Sequence, residues 1–185
     1  MITKAIQSYC NAVHHLVDFV GRSVGYIMPL LAFVVVFEVV ARYFFDSPTI
    51  WAYDLSLFMF GYISALSGAY AQQKRAHINV DILYNHVRPK VRSIFNILSF
   101  SIALIFALII IYMSIDKFYE AIEFNYRRQS EWAPHMHHFW VMMVVACGLL
   151  SLQLISDILL NAYFFVTGKK LIPNAPDTEE FTHGN

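Results

Sequence analysis

Arg42-Tyr43-Phe44-Phe45-Asp46-Ser47-Pro48-Thr49-Ile50-Trp51-Ala52-Tyr53-Asp54, an apolar run to Tyr70, and then Lys74-Arg75-Ala76-His77-Ile78-Asn79-Val80-Asp81: this stretch decides the fold. It holds the end of one apolar segment, a tight turn, a complete second segment and a basic loop. A hydrocarbon core about 30 Å thick needs roughly 20 residues of helix, and Ile50 to Ala71 supplies that length. Outward from it, runs of the same kind cover about Val24 to Phe45, Ile94 to Ile115 and Phe139 to Val166. Of the 185 residues 58% are hydrophobic and only 14% charged, which argues against an ordinary soluble domain. The expectation is an all-α membrane protein with four transmembrane helices.

Net charge is zero, so a nucleic-acid-binding role has no electrostatic footing. The distribution of the cations sets the orientation instead. With the N-terminus inside, Lys4, Arg22, Lys74, Arg75, Arg88, Lys90, Arg92, Lys169 and Lys170 lie on the inner side. Only Arg42, Lys117, Arg127 and Arg128 lie outside. That asymmetry satisfies the positive-inside rule and predicts that both termini are cytoplasmic.

Before the first span, Ile2, Ala5, Ile6, Tyr9, Val13, Leu16, Val17 and Val20 recur at helical spacing, with Lys4, Gln7, Asn11, His15 and Asp18 between them. This predicts an N-terminal amphipathic helix, either interfacial on the inner membrane surface or packed on the other spans. No short apolar core ending in a cleavage site precedes it, so the first span is expected to remain in the mature protein. The predicted organisation is an amphipathic helix over 1–22, a transmembrane domain over 23–168 and a polar cytoplasmic tail over 169–185. Pro29 should kink the first span or mark the bend into it.

Several polar residues stand inside or beside these runs. Glu38 and Arg42 are four apart with the acid first, the favourable order for a helical ion pair. A lone charge in lipid costs about 2.5 to 3.5 kcal/mol, so the pair should face protein. Ser47 is expected to cap the second span, with Pro48 as its first helical residue, Trp51 at headgroup depth and Asp54 over the same face. Asp54 is then either a carboxylate favoured by the helix dipole or an ion-coupling group. In the inner loop His77 and Asp81 would share a helical face. Gln153, Asp157 and Asn161 form a polar stripe in the fourth span, serving an internal network or a subunit contact, with Gly148 and Ser151 allowing close approach.

From Pro89 to Ser130 there is no further proline and no glycine, so the third helix should run past the membrane, carrying an apolar stripe of Ile115, Phe118, Tyr119, Ile122 and Tyr126. Arg127-Arg128-Gln129-Ser130-Glu131-Trp132-Ala133-Pro134 follows as the one sizeable outer loop. His135, His137 and His138 come next, but adjacent positions point to different helix faces, which disfavours one shared zinc site. Cys10 and Cys147 lie too far apart in depth for a disulfide.

Taken together, Arg42-Tyr43, Ser47-Pro48, Trp51-x-x-Asp54 and Ala76-His77-Ile78-Asn79-Val80-Asp81, followed by Pro89, Arg92 and Trp132-x-Pro134, resemble the small membrane subunit of tripartite ATP-independent periplasmic (TRAP) transporters, the DctQ type. The resemblance covers about Phe37 to Gly168. Two features depart from the family pattern: Asp54 stands where glutamate is usual, which keeps the charge but shortens its reach, and the histidines at 135–138 are unusual.

The resemblance implies a role in the bacterial inner membrane and not a reaction. In such systems a soluble periplasmic substrate-binding protein delivers an organic acid to a large multi-span subunit, which imports it with sodium while the small subunit acts as scaffold. It implies no enzyme activity, no cofactor and no metal. Glu38, Arg42, Trp51, Asp54, His77, Asp81 and Asp157 would then serve structure or subunit contact. Arg127, Arg128, Glu131 and Trp132 would contribute to the outer surface on which the binding protein docks. The rival readings are a haem-bearing membrane anchor of a respiratory complex, disfavoured because no histidine falls in mid-span, and a small homo-oligomeric exporter.

Overall fold

The computed structural model describes residues 2–74, 89–168 and 171. The motif residues His77 and Asp81, the inner loop around them and the tail 169–185, apart from Leu171, lie outside the described residues. Among the described residues five helices follow one another: α1 (Ile2–Gly25), α2 (Ile27–Phe44), α3 (Ala52–Gln73), α4 (Pro89–Glu123) and α5 (His137–Thr167). No β-strand occurs among the described residues, only an isolated bridge between Arg127 and His135.

Among the described residues three helical stretches are long and apolar enough to cross a membrane: Thr3–Phe44, Lys90–Glu123 and His137–Thr167. The second run of the sequence, α3, has the length for a span at 22 residues but is less apolar. Its position supplies a reason. It packs against α1, α2 and α5, and it buries Asp54, Phe58, Met59, Ile63 and Gln73 within the protein. A helix enclosed by neighbours can carry polar groups that a lipid-facing helix cannot.

The amphipathic α1 packs against its neighbours through its apolar stripe. Val13 and Val17 cluster with Ala69 of α3, backed by Tyr70, Leu149 and Leu150, and Cys10 is fully buried. Gly21 is needed for this approach, because a Cβ there would stand 2.4 Å from Tyr70 Cγ. The helical assignment is interrupted at Tyr26, between α1 and α2, and Pro29 falls in the first turn of α2, where a missing N–H costs no bond within that helix. The interruption therefore precedes the proline.

The 35-residue α4 is about 52 Å long at 1.5 Å per residue, well beyond a 30 Å core. It lies along α5. Ser93, Ala107, Ser114 and Ala121 are its buried residues, spaced by multiples of seven, so small side chains form the seam between the two helices. The apolar stripe anticipated for the outer extension is on another face: Ile115, Tyr119 and Ile122 are exposed. The helix ends sooner than the absence of proline and glycine implies. Asn125 takes φ 50°, Tyr126 N–H donates to Ala121 O at 3.0 Å and Asn125 N–H to Ile122 O at 3.3 Å, a Schellman ending that needs one left-handed residue. Gly168 ends α5 in the same region of φ, with its N–H on Phe164 O at 2.8 Å. At Gly148 nothing lies within 4 Å of a built Cβ, so the close approach on α5 falls at buried Ser151 and not at that glycine.

Candidate functional site

The polar residues at the end of the bundle that carries the α2–α3 turn gather at two joints. The first is the turn between α2 and α3. Glu38 Oε1 accepts from Arg42 Nε at 3.0 Å, as the four-residue spacing requires. Its other oxygen reaches across the turn, accepting from Thr49 N–H at 3.1 Å and from the Thr49 hydroxyl. Glu38 thus ties the turn to α2 as well as neutralising Arg42.

The start of α3 is later than expected. Ser47 does not cap α3 and Pro48 is not its first residue: residues 47–49 cross the turn, Trp51 occupies the cap position without a side-chain cap bond, and the helix opens at Ala52. Ser47 is turned back to α2 instead, its N–H donating to Ala41 O at 3.0 Å. Trp51 then stacks on Phe37 of α2, ring centroids 6.0 Å apart and planes at 22°.

The second joint is Asp54, in the first turn of α3 and 1% exposed. Arg128 Nε lies 2.7 Å from Oδ1, and the Ser130 hydroxyl donates to Oδ2. A carboxylate this deep requires such a partner, because removing an ion from water is costly unless it is paired and hydrogen-bonded. The Arg128 guanidinium also stands 5.9 Å from the ring centroids of both Tyr53 and Phe58.

Arg128 and Ser130 belong to the connection between α4 and α5, folded back on itself by Met136 N–H to Tyr126 O at 3.0 Å and Arg128 N–H to Pro134 O at 2.9 Å. Ser130 Oγ accepts from Ala133 N–H at 3.2 Å, and Ala133 is held at φ 45°, a conformation that strains a residue with a Cβ. Tyr126 at the loop's start donates to Glu120 Oε1 at 3.0 Å, and this bond to an acid raises the phenol above its usual range.

Of the four residues anticipated on the outer surface, Arg127, Glu131 and Trp132 are exposed, whereas Arg128 turns inward to Asp54. A cleft of about 480 Å³ separates the turn from the loop, lined by Arg42, Thr49, Tyr53, Ser130 and Glu131 among others. Thr49 and Ser130 are the functional partners that sequence reasoning missed. Ser130 acts on a residue 76 positions away, and no local pattern signals that. The histidines form a row of ring contacts: His135 and His137 have ring centroids 5.5 Å apart, His137 stands 6.0 Å from His138, and His138 is hydrogen-bonded to Tyr62 and set edge-on to Phe58 at 4.8 Å. Among the described residues no group of three or more histidine, cysteine or acidic side chains is placed to hold a metal ion.

At the opposite end the polar stripe of α5 joins other helices of the chain. Asp157 accepts from Gln72 Nε2 of α3 at 3.0 Å and from Gln153 Nε2 at 2.9 Å. Asn161 donates to Asp157 O at 2.8 Å and accepts from Asn96 of α4 at 3.3 Å. One network therefore links α3, α4 and α5.

Residues 31–162 match the family described as tripartite ATP-independent periplasmic transporters, DctQ component. The chain is also similar to the C4-dicarboxylate TRAP transporter small permease protein DctQ of Vibrio cholerae serotype O1, with 22% identity over 106 residues. That alignment covers 57% of this chain and 46% of the relative, so the chain spans about half the length of the protein it matches.

Proposed function

The chain belongs to the DctQ component family of tripartite ATP-independent periplasmic transporters, and from that premise we propose that it is the small scaffold subunit of a sodium-coupled, binding-protein-dependent importer of an organic acid. The family match over 31–162 carries this reading. The relative's name specifies C4-dicarboxylates, which makes a small dicarboxylate the first substrate to test. In this reading the chain sits in the bacterial inner membrane as four spans, with α3 as the enclosed one and both termini cytoplasmic. It contacts lipid and a large multi-span transport subunit, and it catalyses no reaction itself.

Two features of the fold support the division of labour. The apolar faces of α2 and α4 are uncovered, including Phe33, Val36, Ile102 and Phe106, which suits contact with lipid and with another membrane subunit alike. The length of α4 exceeds the hydrocarbon core, which leaves room for its C-terminal end and the following loop to stand where a soluble partner can reach them. Glu38, Arg42, Trp51, Asp54 and Asp157 serve structure or subunit contact, Asp54 through its contacts within the chain, and His77 and Asp81 are assigned to the same group on the resemblance alone. Arg127, Glu131 and Trp132 supply part of the surface for the periplasmic binding protein, with Arg128 behind them.

The test is a mild-detergent pull-down of this chain from its native membrane. Recovery of a much larger polytopic protein in fixed ratio supports the scaffold role. Recovery with a redox enzyme and a b-type haem spectrum, or substrate transport by the isolated chain in proteoliposomes, overturns it.

A further inference from the structure

Both oxygens of the buried Asp54 carboxylate are turned to a single segment. Arg128 and Ser130, its two partners, lie three and five residues beyond the left-handed Asn125 that ends α4, in the loop that carries Arg127, Glu131 and Trp132 on its outer side. The loop's own ladder is one isolated bridge, too short to hold its shape. Its strained residue, Ala133, donates its N–H to the very hydroxyl that Asp54 engages. The carboxylate therefore orders the loop from beneath, with α3 as the rigid base.

We infer that Asp54 is the positioning residue of the outer docking loop: by holding Arg128 and Ser130 inward, it presents Arg127, Glu131 and Trp132 as a pre-formed surface for the periplasmic binding protein. The inference rests on the docking role proposed above. A loop ordered before the encounter does not have to be ordered during it, and that raises affinity without any new contact. Asp54 touches neither substrate nor sodium in this scheme. Its loss acts on the encounter and leaves the transport cycle intact.

The experiment uses the complete transporter, small and large subunits together in proteoliposomes with the binding protein. It compares wild type with Asp54→Asn, Asp54→Glu, Arg128→Gln and Trp132→Ala. One readout is tryptic cleavage at Arg127, and the other is initial uptake against the concentration of substrate-loaded binding protein. Asp54→Asn and Arg128→Gln are expected to be cleaved roughly tenfold faster, since the loop opens locally. They should raise the half-saturating concentration of binding protein about fivefold while the maximal rate stays within about twofold. Asp54→Glu should recover part of both effects.

Cleavage of Asp54→Asn at the wild-type rate overturns the inference. So does faster cleavage with unchanged half-saturation when Trp132→Ala does raise it, because loop order would then be irrelevant to docking. If neither variant moves half-saturation, the docking reading itself has failed. A fall in maximal rate alone, or loss of the large subunit from the complex, makes Asp54 an assembly residue and also overturns the inference.

Discussion

Gly21 of α1 faces the base of the Tyr70 side chain on α3, and the three atoms nearest to a Cβ built there are Tyr70 Cγ, Cβ and Cδ2, at 2.4 to 2.6 Å. These atoms lie close to the backbone of α3, so they cannot swing aside as a side-chain tip would. Gly21→Ala is expected to push α1 off α3 and to cost about 1–3 kcal/mol of stability, outweighing the gain in helix propensity. Gly148→Ala is the contrast, because open space surrounds that position on α5. It should be neutral or stabilise the isolated chain by up to about 1 kcal/mol. Thermal unfolding of the two purified variants in one detergent checks the pair.

The turn between α2 and α3 depends on Glu38 holding Arg42 and Thr49 together. Glu38→Ala strips the partner from a cation at the membrane edge and from a backbone N–H at once, whereas Thr49→Ala loses only a hydroxyl bond and keeps the N–H. Glu38→Ala should therefore lower Tm by several degrees, and more than Thr49→Ala does. Equal shifts would mean that the grip on the Thr49 backbone contributes nothing.

Along the α4–α5 seam the small residues hold the helices close, so enlarging one separates them. Ala121, 2% exposed, is the sharpest probe. Ala121→Leu is expected to cost about 1–3 kcal/mol in the isolated chain. Ile122→Ala, at a neighbouring position that is 54% exposed, should leave the isolated chain nearly unchanged. If the uncovered stripe meets the large subunit as proposed, Ile122→Ala weakens co-purification even so.

Asp157 accepts an amide proton on each of its two oxygens, from Gln72 and from Gln153. Asp157→Asn replaces one acceptor by a donor and sets two NH₂ groups against each other. That should destabilise the chain by about 1–3 kcal/mol. Differential thermal unfolding of Asp157→Asn and Gln72→Glu, singly and together, tests the contact, because the double change restores one donor facing one acceptor. A double variant no more stable than the singles would argue against it.

Much of this molecule was legible before any coordinates. Run length marked α2, α4 and α5 as helices able to span a bilayer, and helical periodicity marked α1 as amphipathic. Gly168 marked the end of α5, because glycine takes the left-handed φ without strain. The ordered set from Arg42 to Asp81 pointed to the family that residues 31–162 match. All of these signals are local: length, period and residue order are written in neighbouring positions.

The tertiary structure decided what depends on residues far apart in the chain. Ser47 and Pro48 carry the local signature of a helix start, yet α3 opens at Ala52, and Ser47 N–H turns back to Ala41 O of α2 at 3.0 Å. The apolar stripe from Ile115 to Tyr126 does not say which partner covers it; in the fold Ser93, Ala107, Ser114 and Ala121 form the seam with α5, since a close helix seam selects for small volume and not for hydrophobicity. Arg128 looked like one of four surface residues, yet it turns inward to a carboxylate more than seventy positions earlier. Only the folded bundle brings those two groups within 2.7 Å, and an ionised carboxylate buried without a partner carries a large desolvation cost.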